Sequence, residues 1–152
     1  MNKFSLLALL GIVIGLLIVG AAPVYAANCP QPDDMILATI DAKPGSDPNA
    51  INLRSEGLIP VALLGSATFS VVSVDPTTVR LHPMGRCEQA AAPVKQASRD
   101  VNQDGYTDII FHFIVKNVGL QPGDTAVCLH GYLYSGMHFC GHDEVVIVGL
   151  MG

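Results

Sequence analysis

The sequence predicts an all-β protein, an antiparallel β-sandwich of Ig-like or jelly-roll-like build. Past the first stretch of the chain, apolar runs of about four to nine residues alternate with clusters of Pro, Gly, Asn and Asp. No window sustains the apolar period of about 3.6 residues that an amphipathic helix needs. The turn signals are explicit: Lys43-Pro44-Gly45-Ser46-Asp47-Pro48-Asn49, Asp75-Pro76, Gln121-Pro122-Gly123-Asp124 and Ser135-Gly136.

The first element is a leader. Lys3 precedes a run over 4–22 that is apolar but for Ser5, Pro23 ends it, and Val24-Tyr25-Ala26 supplies tolerated residues before a cleavage point. Residues 1–26 therefore read as a secretory signal helix, leaving a β-sandwich module over 27–152 and an extracellular or periplasmic location. The same run reaches the length that crosses ~30 Å of hydrocarbon, so a retained anchor is the competing reading. The Pro-Val-Tyr-Ala-Ala ending favours cleavage. No later segment is long and apolar enough to span a membrane.

Strands are expected over 35–40, 58–64, 69–74, 78–81, 93–96, 108–115, 125–133 and 137–148. The run 109–115 is apolar on both parities apart from His112, the mark of a central strand covered on both faces. Pro60 has no amide proton for a ladder, which places strand 58–64 at an edge or a bulge. Residues 84–99 read as an irregular loop with one short strand and, at 88–92, room for a single helical turn.

Taking Ser135-Gly136 as a two-residue hairpin turn pairs Tyr134 with Met137 and puts Cys140 opposite Gly131. Cys128 and Cys140 then point to opposite faces unless Gly131 or Gly141 makes a bulge. His130 and His138 also part company, so the five histidines, His82, His112, His130, His138 and His142, are not expected to build a transition-metal site. His112 reads as a buried histidine with a backbone partner.

Composition narrows the function. Losing the leader removes Lys3 and no acid, leaving 7 basic against 13 acidic residues, which speaks against nucleic acid as a partner. Cys29, Cys87, Cys128 and Cys140 all follow the leader, and an even number in an exported chain reads as disulfides. Thiolate ligation of a metal is the weaker alternative, there being no C-x-x-C. Of the three pairings, Cys128–Cys140 with Cys29–Cys87 is favoured. No G-x-S-x-G elbow is present, and nothing ties Glu56, Glu88 or Glu144 into a carboxylate pair for glycoside cleavage. With no Trp and four Tyr, a sugar-stacking platform is thin.

One stretch demands a particular chemistry. Asp100, Asn102 and Asp104 stand at alternate positions, Gly105 follows where the backbone must turn, and Asp108 closes the segment. Oxygen donors so spaced wrap a hard divalent cation, with the Tyr106 carbonyl as a further donor, and Ca²⁺ is the expected ion. The front of an EF-hand loop is matched, but Phe111 stands where the bidentate Glu would be and a strand follows. Strand-leading loops such as those of FG-GAP propeller modules and dockerin-type segments are the nearer pattern. The competing reading is a loop whose Asp and Asn only make turns, in which the clustered carboxylates would repel with nothing to offset them.

Six blocks in order, Asp41-Ala42-Lys43-Pro44-Gly45-Ser46 with Pro48-Asn49-Ala50-Ile51-Asn52, Gly57 through Ser66, Val74-Asp75-Pro76-Thr77-Thr78-Val79, 100–108, His112-Phe113 and Gly123-Asp124-Thr125, resemble a recurring secreted bacterial module. Its pattern is IDIKPGS-x-PN-x-IN, IPVAILGS, VDP-x-TV, DVNGDG-x-x-D, HF, GDT. Ala42 and Gln103 depart from it, standing where Ile and Gly are usual. The resemblance implies a calcium-loop β-sandwich-like module without an assigned activity. The functional expectation is a secreted, non-enzymatic accessory or interaction module with an unidentified extracellular or cell-envelope partner. The alternative is a small extracellular hydrolase or carbohydrate-binding protein with a groove near the acidic loop.

Overall fold

The computed structural model describes residues 34–149; the leader and Cys29 lie outside them. Ten strands form, β1 (Met35–Leu37), β2 (Ile40–Ala42), β3 (Ala50–Asn52), β4 (Leu58–Leu63), β5 (Val74–Pro83), β6 (Lys95–Arg99), β7 (Asp108–Ile114), β8 (Ala126–Leu133), β9 (His138–Glu144) and β10 (Val146–Val148). They assemble into one four-stranded sheet of order β1-β9-β8-β5, a second of order β2-β4-β7-β6, and the pair β10-β3. An all-β, sandwich-like fold is thus what the chain adopts. Among the described residues no helix is long and apolar enough to cross a membrane.

Alternating side chains of the two larger sheets fill the interior. Leu81, Leu129 and Phe139 from the first sheet share one apolar core with Ile59, Val61, Leu63, Phe111 and Phe113 from the second. Burying side chains of this size contributes roughly 1.5–3 kcal/mol each. Strand β7 is central, paired with both β4 and β6, and its outward Ile110 is buried as well as its inward neighbours. That matches its two-sided apolar pattern.

Pro60 lies in an interior strand, not at an edge. Beyond the last β2–β4 pair the Lys43 amide donates to the Pro60 carbonyl at 2.7 Å, and the Lys43 carbonyl accepts from Ser46 at 3.0 Å. The proton that proline lacks would have been directed at a carbonyl already taken by the turn. This is how a central strand tolerates proline here without a bulge.

Three further expectations are corrected. The run 35–40 is split between sheets: the Ala38 amide donates to the Cys140 carbonyl while the Thr39 carbonyl accepts from Leu64. Gly141 permits that crossing, since a Cβ there would stand 2.6 Å from the Ala38 carbonyl oxygen. Two short pairings, β1 with β9 and β10 with β3, are parallel beside the antiparallel pairs of the larger sheets, and β3 falls where no strand was expected, just after the 43–49 turn. Residues 71–73 form a 3₁₀ turn leading into β5, and the helical turn of the 84–99 stretch falls at Cys87–Gln89.

The β8–β9 hairpin carries the largest correction. Its loop has three residues, with Leu133 bonded to Met137 and Gly136 at φ +88°. Tyr132 therefore pairs with His138, His130 with Cys140 and Cys128 with His142. The two-residue turn is one residue too short, and in a structure of period two that error exchanges the faces.

Candidate functional site

The acidic loop joins β6 to β7. Asp100 closes it: one carboxylate oxygen accepts the Asp104 amide at 3.2 Å and the other the Gly105 amide at 2.9 Å. The Asn102 side-chain oxygen accepts the same Asp104 amide at 3.2 Å, and Asp104 accepts from the Tyr106 amide at 2.9 Å and from Asn102 Nδ2 at 3.0 Å. Asp100, Asn102 and Asp104 thus curl around one point of backbone, all three exposed. The bend uses positive φ at Gly105 (+88°) and at Gln103 (+60°). The second is the position where the resembling module carries Gly, and a long polar side chain takes up the left-handed conformation instead.

Asp108 behaves differently. It is fully buried, its two oxygens accepting the Gly65 amide at 2.8 Å and the Val101 amide at 2.7 Å. Gly65 can approach because it lacks a Cβ, which would lie 2.3 Å from the Thr107 carbonyl oxygen. The carboxylates of Asp100, Asp104 and Asp108 do not converge to within 4.8 Å of one another. The loop thus brings together Asp100, Asn102 and Asp104 through shared hydrogen bonds, while Asp108 pins it to the turn that follows β4.

A cavity of about 290 Å³ opens beside the loop, lined by Thr39, Gly65, Ser66 and Thr68 and, from the loop itself, by Asn102 and Asp104. Asp104 is its one carboxylate, so it holds no acid pair for hydrolysis.

The corrected hairpin register assembles a second cluster that the sequence reading dispersed. On the outward face of the first sheet stand His82 and Arg80 from β5, Cys128, His130 and Tyr132 from β8, and His138, Cys140 and His142 from β9. His82 is buried, and its Nε2 lies 3.1 Å from His130 Nδ1. His82 Nδ1 lies 2.8 Å from the Pro83 carbonyl oxygen, an acceptor only, so this nitrogen carries the proton and Nε2 is left bare. The His130 ring stands 5.7 Å from that of His138, whose buried Nδ1 has no partner. Burial, with His82, His138 and Arg80 nearby, pushes His130 down to about 4. Burial lowers His82 and His138 as well.

The Cys128 and Cys140 sulfurs are 2.8 Å apart and unbonded, brought together by the same register. The hydrogen bond between them, with burial, raises the Cys128 thiol, and the same bond lowers that of Cys140. Cys87 is not free, and Cys29, the partner expected for it, lies outside the described residues. His112 projects half-buried from β7, and its buried Nδ1 lacks the partner expected for it.

Other polar residues of the recurring blocks are spent on turns. Asp75 accepts from the Thr77 amide and hydroxyl at 3.0 and 2.7 Å. Asp124 takes both terminal guanidinium nitrogens of Arg86 at 2.9 and 2.6 Å. Compared with family models, curated proteins and solved structures, the chain matches none.

Proposed function

We propose that this is a secreted, calcium-stabilised, non-enzymatic accessory or interaction module of the kind its blocks resemble, working at the cell envelope or outside it. The observation that carries the reading is the closure of the acidic loop by Asp100 over the amides of Asp104 and Gly105. That closure gathers oxygen donors at positions 1, 3 and 5 of the loop. A bound Ca²⁺ supplies the positive charge that offsets their mutual repulsion. Asp75 and Asp124 support a structural use of the blocks, since they hold turns together.

Extracellular loops of this type bind with Kd on the order of 10⁻³ M, so 10 mM Ca²⁺ adds about 1.4 kcal/mol by mass action. Thermal unfolding of the mature chain is expected to shift upward by about 3–5 °C between EDTA and 10 mM Ca²⁺. Asp104→Ala abolishes the shift. Identical melting curves with and without Ca²⁺ reject the reading.

The cavity beside Asn102 and Asp104 favours one further reading, a small polyhydroxylated ligand held at the loop. Chemical-shift changes at Thr68 and Asp104 on adding simple saccharides in Ca²⁺ support it; unchanged spectra leave the accessory role.

A further inference from the structure

We propose that His82, Cys128 and His130, completed by Cys140, form a Zn²⁺ site on the outward face of the first sheet. The His82, Cys128 and His130 ligand atoms all lie within 4.8 Å of one another, and the Cys140 sulfur stands 2.8 Å from that of Cys128. A tetrahedral zinc, with bonds of about 2.0–2.1 Å to nitrogen and 2.3 Å to sulfur, sets its donors roughly 3.3–3.8 Å apart. The 3.1 Å between His82 Nε2 and His130 Nδ1 is close to one edge of that figure, and the 2.8 Å between the two sulfurs has to open by about 1 Å for both to bind.

The surroundings are those of a metal site in two respects. His82 is held by its Nδ1–H on the Pro83 carbonyl, the outer-sphere arrangement that fixes a ligating imidazole with its other nitrogen turned inward. The four donors sit on three neighbouring strands at registered positions, a rigid scaffold and not a loop. Arg80 works against a cation here: its protons go to the Thr77 and Val79 carbonyls, at 3.0 and 2.8 Å, but its charge still acts on His130, and the two thiolates of the set offset it.

Two nitrogens and two sulfurs in a tetrahedral set select zinc among the common divalent ions. His130 joins by carrying its proton on Nε2, and the Cys128–Cys140 pair by releasing both thiol protons to solvent. A Cys128–Cys140 disulfide and the metal exclude each other, because a bonded sulfur has no thiolate to offer.

The test uses the mature chain, reduced with a phosphine under argon and titrated with Co²⁺ as the spectroscopic stand-in for Zn²⁺. One Co²⁺ per chain is expected, with thiolate-to-cobalt charge-transfer absorption, displaced by one equivalent of Zn²⁺. Cys128→Ser lowers that absorption to the share of the single Cys140 thiolate or abolishes it. Cys128 is buried, so the half-exposed Cys140→Ser and His130→Gln, their folding verified by circular dichroism, provide the second arm and weaken binding about tenfold or more. Asp104→Ala leaves the titration unchanged, which separates this site from the acidic loop. Absence of charge-transfer absorption in the reduced chain, its survival at full intensity in Cys128→Ser, or full affinity in both second-arm variants overturns the proposal. So does a Cys128–Cys140 bond that thiol labelling finds intact after reduction.

Discussion

The acidic loop and the histidine and cysteine face offer two donor sets of opposite construction. Within the loop the hydrogen bonds join residues two to five apart, and Asp108 reaches Val101 across seven. On the face, His82 meets His130 across 48 residues and Cys128 meets Cys140 across 12. A local donor set depends on the turn chemistry of its own segment, so its residues read as a motif wherever the strands pair. A sheet-borne set depends on register, and one residue more in a hairpin loop decides whether it exists.

The largest expected effect tests the boundary of the local set. Asp108 belongs to the loop by spacing but to the interior by burial, and Asp108→Ala leaves the Gly65 and Val101 amides without their acceptor. At about 1–3 kcal/mol for each buried unsatisfied donor, a loss of about 3 kcal/mol is expected from urea unfolding. The loss should be equal in EDTA and in Ca²⁺, because the carboxylate acts on backbone amides. A loss that appears only with Ca²⁺ would return Asp108 to the metal. Asp108→Asn, keeping one acceptor oxygen, should fall between the two.

A smaller effect bears on register. Gly136 closes the three-residue loop at φ +88°, and Gly136→Val forces a β-branched residue into that conformation at about 1–2 kcal/mol. If the register holds, a short bifunctional thiol reagent still bridges Cys128 and Cys140 in the variant. A variant that loses both stability and bridging has slipped by a residue, which would show that the loop alone assembles the cluster.

These contrasts also explain what was legible beforehand. The two-sided burial of β7 was visible because apolar residues on both parities have no other use in a strand. The loop residues Asp100, Asn102 and Asp104 were visible because alternate oxygen donors before Gly105 have few uses. The face was hidden behind Tyr134: Ser135-Gly136 reads as a two-residue turn, whereas the chain places Tyr134 in the loop as well and closes it at Gly136. Strand β3 was hidden because its partner, β10, lies some hundred residues away and contributes no local signal. Pro60 misled because a missing amide proton says which bond is absent but not that the Ser46 turn has already satisfied the opposing carbonyl. The one local trace of the face is that Cys128 and His130, and likewise His138, Cys140 and His142, alternate in sequence, which puts each set on a single side of its own strand.

The smallest effect separates the two regions by pH. In EDTA, with no metal on the face, His130 titrates at about 4 in the fold and near 6.5 when unfolded. Between these values the unfolded chain binds more protons, so stability falls as the pH is lowered from 6.5 towards 4 and is unaffected by this group above that window. His82 and His138, also lowered by burial, add in the same direction. Asp41 opposes them at the acid end, its carboxyl raised by burial and by Asp143, so the difference between two proteins is more informative than one curve. Urea unfolding of the wild type and of His130→Gln at pH 7 and pH 5 should show the smaller pH loss in the variant, because glutamine takes up no proton. Equal losses would mean that the His130 ring reaches solvent freely, and with it the face would cease to be a desolvated cluster able to hold neutral imidazoles at acid pH.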